Sequence, residues 1–139
     1  MCLIAFALSQ HPRWPWVCVG NRDEFHQRPT APLAWHSQGC LSGLDLEAGG
    51  TWMGVHTSGA LAMLTNIRGP QYQRASPAPS RGELVLNHLQ GRSQSSVEQL
   101  HNYGGFNLLA GNLKTLEFHW TSNHTVGDLE KLQPELHSR

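Results

Sequence analysis

Trp16-Val17-Cys18-Val19-Gly20-Asn21-Arg22-Asp23-Glu24-Phe25 decides how the rest of this chain is read. An apolar run passes through one glycine into four consecutive polar or charged residues, so a strand leaves a core and delivers side chains that need water or partners. The upstream run Cys2-Leu3-Ile4-Ala5-Phe6-Ala7-Leu8 is apolar at nearly every position and does not alternate, the pattern of a strand covered on both faces by other layers. Between the two runs, His11-Pro12-Arg13-Trp14-Pro15 reverses the chain. The runs therefore pair as a hairpin that returns Asn21 to Glu24 beside Cys2. A turn with solvated charges is one account of such a cluster. A site built at a strand end is the other, and Cys2 together with the strand end Leu64-Thr65-Asn66 supplies its components.

Working outward, Leu33-Ala34-Trp35 and Cys40-Leu41-Ser42-Gly43 flank a turn near Ser37-Gln38-Gly39. Thr51 to His56 and Ala60 to Asn66 form a second hairpin about Thr57-Ser58-Gly59. Arg68 to Ser80 is polar and proline-rich, an exposed loop. Ser80-Arg81-Gly82-Glu83 reads as a capping box for a helix through Leu89, stopped by Gly91, and Ser95-Ser96-Val97-Glu98 opens a second short helix before Gly104-Gly105. Two such helices would cover one face of the sheet. Phe106 to Gly111 and Leu113 to Trp120 return to strand character, while 124–139 reads as a polar tail, either a short helix or frayed chain.

The chain has 139 residues, enough for one domain with one core. Ten basic and ten acidic residues cancel and only 14% of the chain is charged, so no field draws nucleic acid or an anionic membrane. The nine histidines show no convincing metal-ligand spacing, and no metal is expected. Three cysteines without close spacing argue for a reducing compartment, with a cytoplasmic location expected. The opening apolar run lacks a basic leader and is too short to span a bilayer, so neither signal peptide nor membrane helix is expected.

Met1-Cys2-Leu3-Ile4, Asn21-Arg22-Asp23-Glu24-Phe25 with Arg28-Pro29, Leu41-Ser42-Gly43-Leu44-Asp45, Gly49-Gly50-Thr51-Trp52-Met53-Gly54, Leu64-Thr65-Asn66, Arg81-Gly82-Glu83-Leu84-Val85 and Gly105-Phe106-Asn107-Leu108-Leu109 come in an order that resembles the NRDE-motif family, also called the transport and Golgi organisation family. The likeness covers residues 1–123. It implies an α+β fold, the αββα four-layer sandwich of N-terminal nucleophile hydrolases. Family members are longer, so the sandwich is expected to be incomplete at the C-terminus and its free edges to need a homo-oligomer or a complementing chain. The resemblance also implies a role in intracellular haem trafficking or in lipid and acyl-coenzyme A homeostasis. No cofactor is required, with haem a candidate ligand.

A hydrolase is the alternative. Were Met1 removed, Cys2 would carry an α-amine able to act as base for its own thiol. Arg22 would favour the thiolate, Asp23 would orient the ammonium, and Asn66 would donate to an oxyanion. This resembles cysteine amidases such as bile-salt and penicillin V acylases, acting on non-peptide amide or thioester bonds. Asn107 and Asn123 are further amide candidates without an assigned role. As a small-molecule carrier, the chain would instead use Asn21, Glu24, Arg28 and Arg68 at the mouth, with Arg22, Arg28 and Arg68 for the phosphates of an acyl-coenzyme A, or His26, His56 or Cys2 as axial ligands to haem. A third reading is an inert truncated remnant, which would fold poorly.

Overall fold

The computed structural model describes residues 2–69, 78–92, 97–123 and 130–132. Among the described residues nine strands and two helices follow in order: β1 (Leu3–Leu8), β2 (Trp16–Asn21), β3 (Thr30–Trp35), β4 (Cys40–Asp45), β5 (Met53–His56), β6 (Ala60–Asn66), α1 (Gly82–Leu89), α2 (Val97–Leu100), β7 (Phe106–Asn112), β8 (Glu117–Ser122) and β9 (Glu130–Leu132). Strands β3 to β9 form one antiparallel sheet in sequence order, and β1 and β2 form a separate two-stranded sheet.

Alternation along the central strands sorts the core into two halves. On one face Ala62, Leu64, Leu108 and Ala110 pack with Leu84, Val85 and Leu89 of α1, and Leu100 at the end of α2 with Tyr103 just after it extend this cluster. On the other, Leu61, Met63, Leu109 and Phe118 receive Ile4, Leu8, Trp16 and Cys18 of the hairpin. The order across the molecule is helix, seven-stranded sheet, two-stranded sheet. This agrees with the α+β class, and no helical layer outside the hairpin is found among the described residues.

That arrangement corrects the reading of β1 and β2 as strands covered on both faces. Leu3 and Val19 are 65% and 67% exposed, because only the inner face of the hairpin meets the large sheet. The capping box is also not formed. Arg81 occupies the N-cap in helical geometry with no side-chain cap, and the Glu83 and Leu84 N–H groups reach the carbonyls of Ser80 and Arg81 instead. Gly91 does stop the helix, with φ +65 and its N–H on the His88 carbonyl. In the tail, Glu130–Leu132 adds to the sheet edge through β8 and is not helical. Most of the expected 68–80 loop and the second helix's cap at Ser95-Ser96 lie outside the described residues. No helix among the described residues is long and apolar enough to cross a membrane.

Helix α1 is fixed by backbone contact. A Cβ on Gly82 would stand 2.8 Å from both the N and the O of Thr51, and one on Gly50 would stand 2.8 Å from the Cα of Gly82. Two of the motifs quoted above, Gly49-Gly50-Thr51 and Arg81-Gly82-Glu83, are thus two sides of one close approach.

Candidate functional site

The first hairpin puts Leu3 opposite Asn21, so the polar cluster emerges next to Cys2. Asn21 Oδ1 accepts the Leu3 N–H at 3.1 Å, and the half-buried Cys2 Sγ accepts the Asp23 N–H at 3.3 Å. Arg68 donates to the Asp23 carbonyl at 3.5 Å. Cys2, Asn21, Asp23 and Arg68 therefore form one cluster, held largely through main-chain groups.

Arg22 turns to a different partner. Its Nη2 lies 3.0 Å from Asp45 Oδ2 and 3.7 Å from Glu24 Oε2. Arg28 reaches the same Asp45 oxygen from Nε at 2.8 Å, lies 3.9 Å from Glu24 and extends Nη1 to Glu47 at 3.1 Å. Asp45 ends β4, and its second oxygen accepts the N–H groups of Glu47 and Ala48, both at 3.0 Å. Burial opposes the charge on the Asp45 carboxyl, but the Arg28 hydrogen bond and charge with the two backbone donors outweigh it, holding the carboxyl below its ordinary value. The same hydrogen bond raises the Arg28 guanidinium.

Arg22, Glu24, Arg28 and Asp45 line the mouth of a cleft of about 820 Å³ between the two sheets. Its walls and floor are mostly apolar, with Trp16 and Cys18 from β2 on one side and Leu41, Val55, Leu61 and Met63 from the large sheet beneath. Asn66, at the end of β6, lines it too. The Cys18 thiol lies 3.4 Å from Met63 Sδ, and burial pushes that thiol up, so it is a packed neutral group.

Of the residues read from the sequence, Arg22, Glu24, Arg28 and Asn66 meet at this cleft, while Cys2, Asn21, Asp23 and Arg68 gather beside it. Two histidines expected at the mouth are not part of its lining. His26 is exposed. His56 sits at the far end of β5, which begins at Met53 near the mouth, and its ring bonds the Gln38 carbonyl at 2.6 Å and Ser58 Oγ at 2.8 Å. Asn123 has structural work: Oδ1 accepts from the Phe106 N–H while Nδ2 donates to the carbonyls of Leu100, Tyr103 and Gly104. Asn107 donates to Thr65 Oγ1. No three His, Cys, Asp or Glu side chains gather to hold a metal among the described residues.

Sequence reasoning missed Asp45 as a site residue. The available signal was an acidic side chain closing an apolar strand in a chain whose nearby arginines, 22 and 28, needed a counter-charge.

Compared with known proteins, residues 1–138 match the family described as Transport and Golgi organisation 2. The Transport and Golgi organization protein 2 homolog of Homo sapiens is 40% identical over 131 residues, covering 83% of this chain and 46% of that protein. The homolog of Mus musculus is 37% identical with the same coverage. An uncharacterised protein of Saccharomyces cerevisiae is 30% identical over 141 residues, covering 96% of this chain and 44% of its own length. The chain thus spans a little under half the length of these relatives.

Proposed function

Since this chain belongs to the Transport and Golgi organisation 2 family, we propose that it handles a lipid-derived small molecule, an acyl group or acyl-coenzyme A, in the cleft between its two sheets. The observation that carries this is the cleft itself. Its roughly 820 Å³ falls within the range of small-molecule sites, about 300–1,000 Å³, and an apolar floor opens at a charged mouth. An acyl chain would lie over Leu41, Val55 and Leu61. Its polar head would meet Arg22 and Arg28, whose carboxylate partners keep them oriented before any phosphate arrives. Haem fits less well, because none of the expected axial residues His26, His56 and Cys2 lines the cleft. The cleft's own sulfur groups, Cys18 and Met63, are packed against each other with the thiol held protonated by burial.

Titration with palmitoyl-coenzyme A by calorimetry tests this. Wild-type chain is expected to bind saturably, and Ala31→Trp, which places a large ring in the cleft from β3, is expected to weaken binding at least tenfold with an unchanged thermal transition. Absence of saturable binding to the wild type, or a Soret shift with ferric haem that Ala31→Trp abolishes, would overturn the lipid reading.

One contact favours a second reading, an N-terminal-cysteine hydrolase: the Asp23 N–H aimed at Cys2 Sγ, a donor that stabilises a thiolate. The intact mass of natively expressed protein is the first measurement. With Met1 removed, thioester or amide hydrolysis that Cys2→Ala abolishes is the expected result. Retention of Met1 excludes the self-activated nucleophile and leaves palmitoyl-coenzyme A binding as the function to pursue.

A further inference from the structure

Trp52 stands between the two sheets yet belongs to neither half of the core. A Cβ on Gly20 would lie 3.3 Å from its Cη2, so the inward side of β2 is left bare where the edge of the indole meets it. The ring is half-buried and lines the cleft, and among the described residues it stacks on no other ring. Trp16, by contrast, lies between Phe6 and Phe118. Trp52 therefore offers the cleft a flat apolar surface that the protein itself does not cover.

That surface is held from behind. The Trp52 carbonyl accepts the Leu64 N–H at 2.8 Å, and the preceding residue, Thr51, is pressed against Gly82 of α1. A platform fixed before the ligand arrives costs little to order on binding.

Its neighbour along β2 narrows what it could take. Gly20 and Arg22 lie on the same inward side of the chain, two residues or about 7 Å apart. Among the described residues Arg22 uses only Nη2, on Asp45 and Glu24, and a guanidinium carries five N–H donors, so others are left for an incoming anion. A π surface one ribose away from a guanidinium is the pair of contacts that a nucleotide needs, its base stacked and its phosphate hydrogen-bonded. An acyl group on a carrier without a base would leave the ring bare.

We infer that Trp52 is the stacking platform for the adenine of acyl-coenzyme A, with the phosphates of that nucleotide on Arg22 and Arg28. The cleft then recognises the carrier as well as the acyl chain. This inference rests on the lipid reading above and makes Trp52 the residue that selects the coenzyme A ester over other acyl carriers.

The test compares two ligands by calorimetry: palmitoyl-coenzyme A, and palmitoyl-4′-phosphopantetheine, which keeps the thioester and lacks the adenosine. Wild-type chain is expected to bind the coenzyme A ester roughly tenfold or more tighter. Trp52→Leu, apolar but without a π face, is expected to lose roughly tenfold on the coenzyme A ester and to keep the phosphopantetheine ester within about twofold. Trp52→Phe, which retains a flat face, is expected to hold both esters within about threefold of wild type. Equal losses on the two esters with Trp52→Leu would make the ring a structural prop and overturn the inference, and undiminished palmitoyl-coenzyme A binding would do the same; both leave the lipid reading standing. If neither ester binds the wild-type chain, the lipid reading falls and this inference falls with it.

Discussion

Alanine in place of Asp45 is expected to lower stability by about 2–3 kcal/mol and to loosen the cleft mouth, read as a lower urea midpoint and at least tenfold weaker palmitoyl-coenzyme A binding. One carboxylate organises the region: Oδ2 takes Arg22 and Arg28, and Oδ1 closes the turn at Glu47 and Ala48. Its side chain is 18% exposed, so removal leaves two guanidinium groups poorly solvated while Glu24 stays 3.7 and 3.9 Å from them. Acid separates charge from shape. The folded carboxyl titrates below its ordinary value, so its contribution is complete above about pH 4 and is lost as pH falls through the folded value. Wild type should lose stability on acidification more steeply than Asp45→Asn, which keeps the Oδ1 acceptor. Equal acid slopes would show that the pairing does not stabilise the fold.

Gly82→Ala is expected to cost about 2–3 kcal/mol, although glycine to alanine within a helix ordinarily gains up to about 1 kcal/mol. The added Cβ meets the Thr51 backbone N and O, and main chain cannot rotate aside as a side-chain tip can. Relief requires α1 to lift from β5 and β6, which uncovers Leu84, Val85 and Leu89. Urea denaturation decides the matter: a neutral or stabilising substitution would mean that the helix is not pinned here.

Much of the path from sequence to site was legible because strand pairing follows local signals. The proline-bracketed reversal at 11–15 predicts that Asn21 returns to the start of β1, and Leu3 does pair with Asn21. Gly91 ends α1 because a left-handed residue satisfies the last carbonyls at little cost. Coverage was not legible. An unbroken apolar run shows that both faces of a strand are apolar, but not that both are packed, and Leu3 and Val19 face outward. His56 looked close to the motif in sequence but stands at the wrong end of its strand, since direction along β5 depends on pairing with β6. Asp45 escaped because an ion pair between residues 17 and 23 positions apart leaves no periodic trace.

Trp16 lies between Phe6 and Phe118, with ring centroids 5.0 and 4.5 Å away and interplanar angles of 16° and 20°. Such stacking couples the indole to two fixed neighbours in a chiral array, one on each sheet. The near-ultraviolet ellipticity of this protein should therefore act as a gauge of sheet separation. The Trp16–Phe118 part of that signal would be lost when the hairpin rises from the large sheet, even while the far-ultraviolet spectrum of the strands persists.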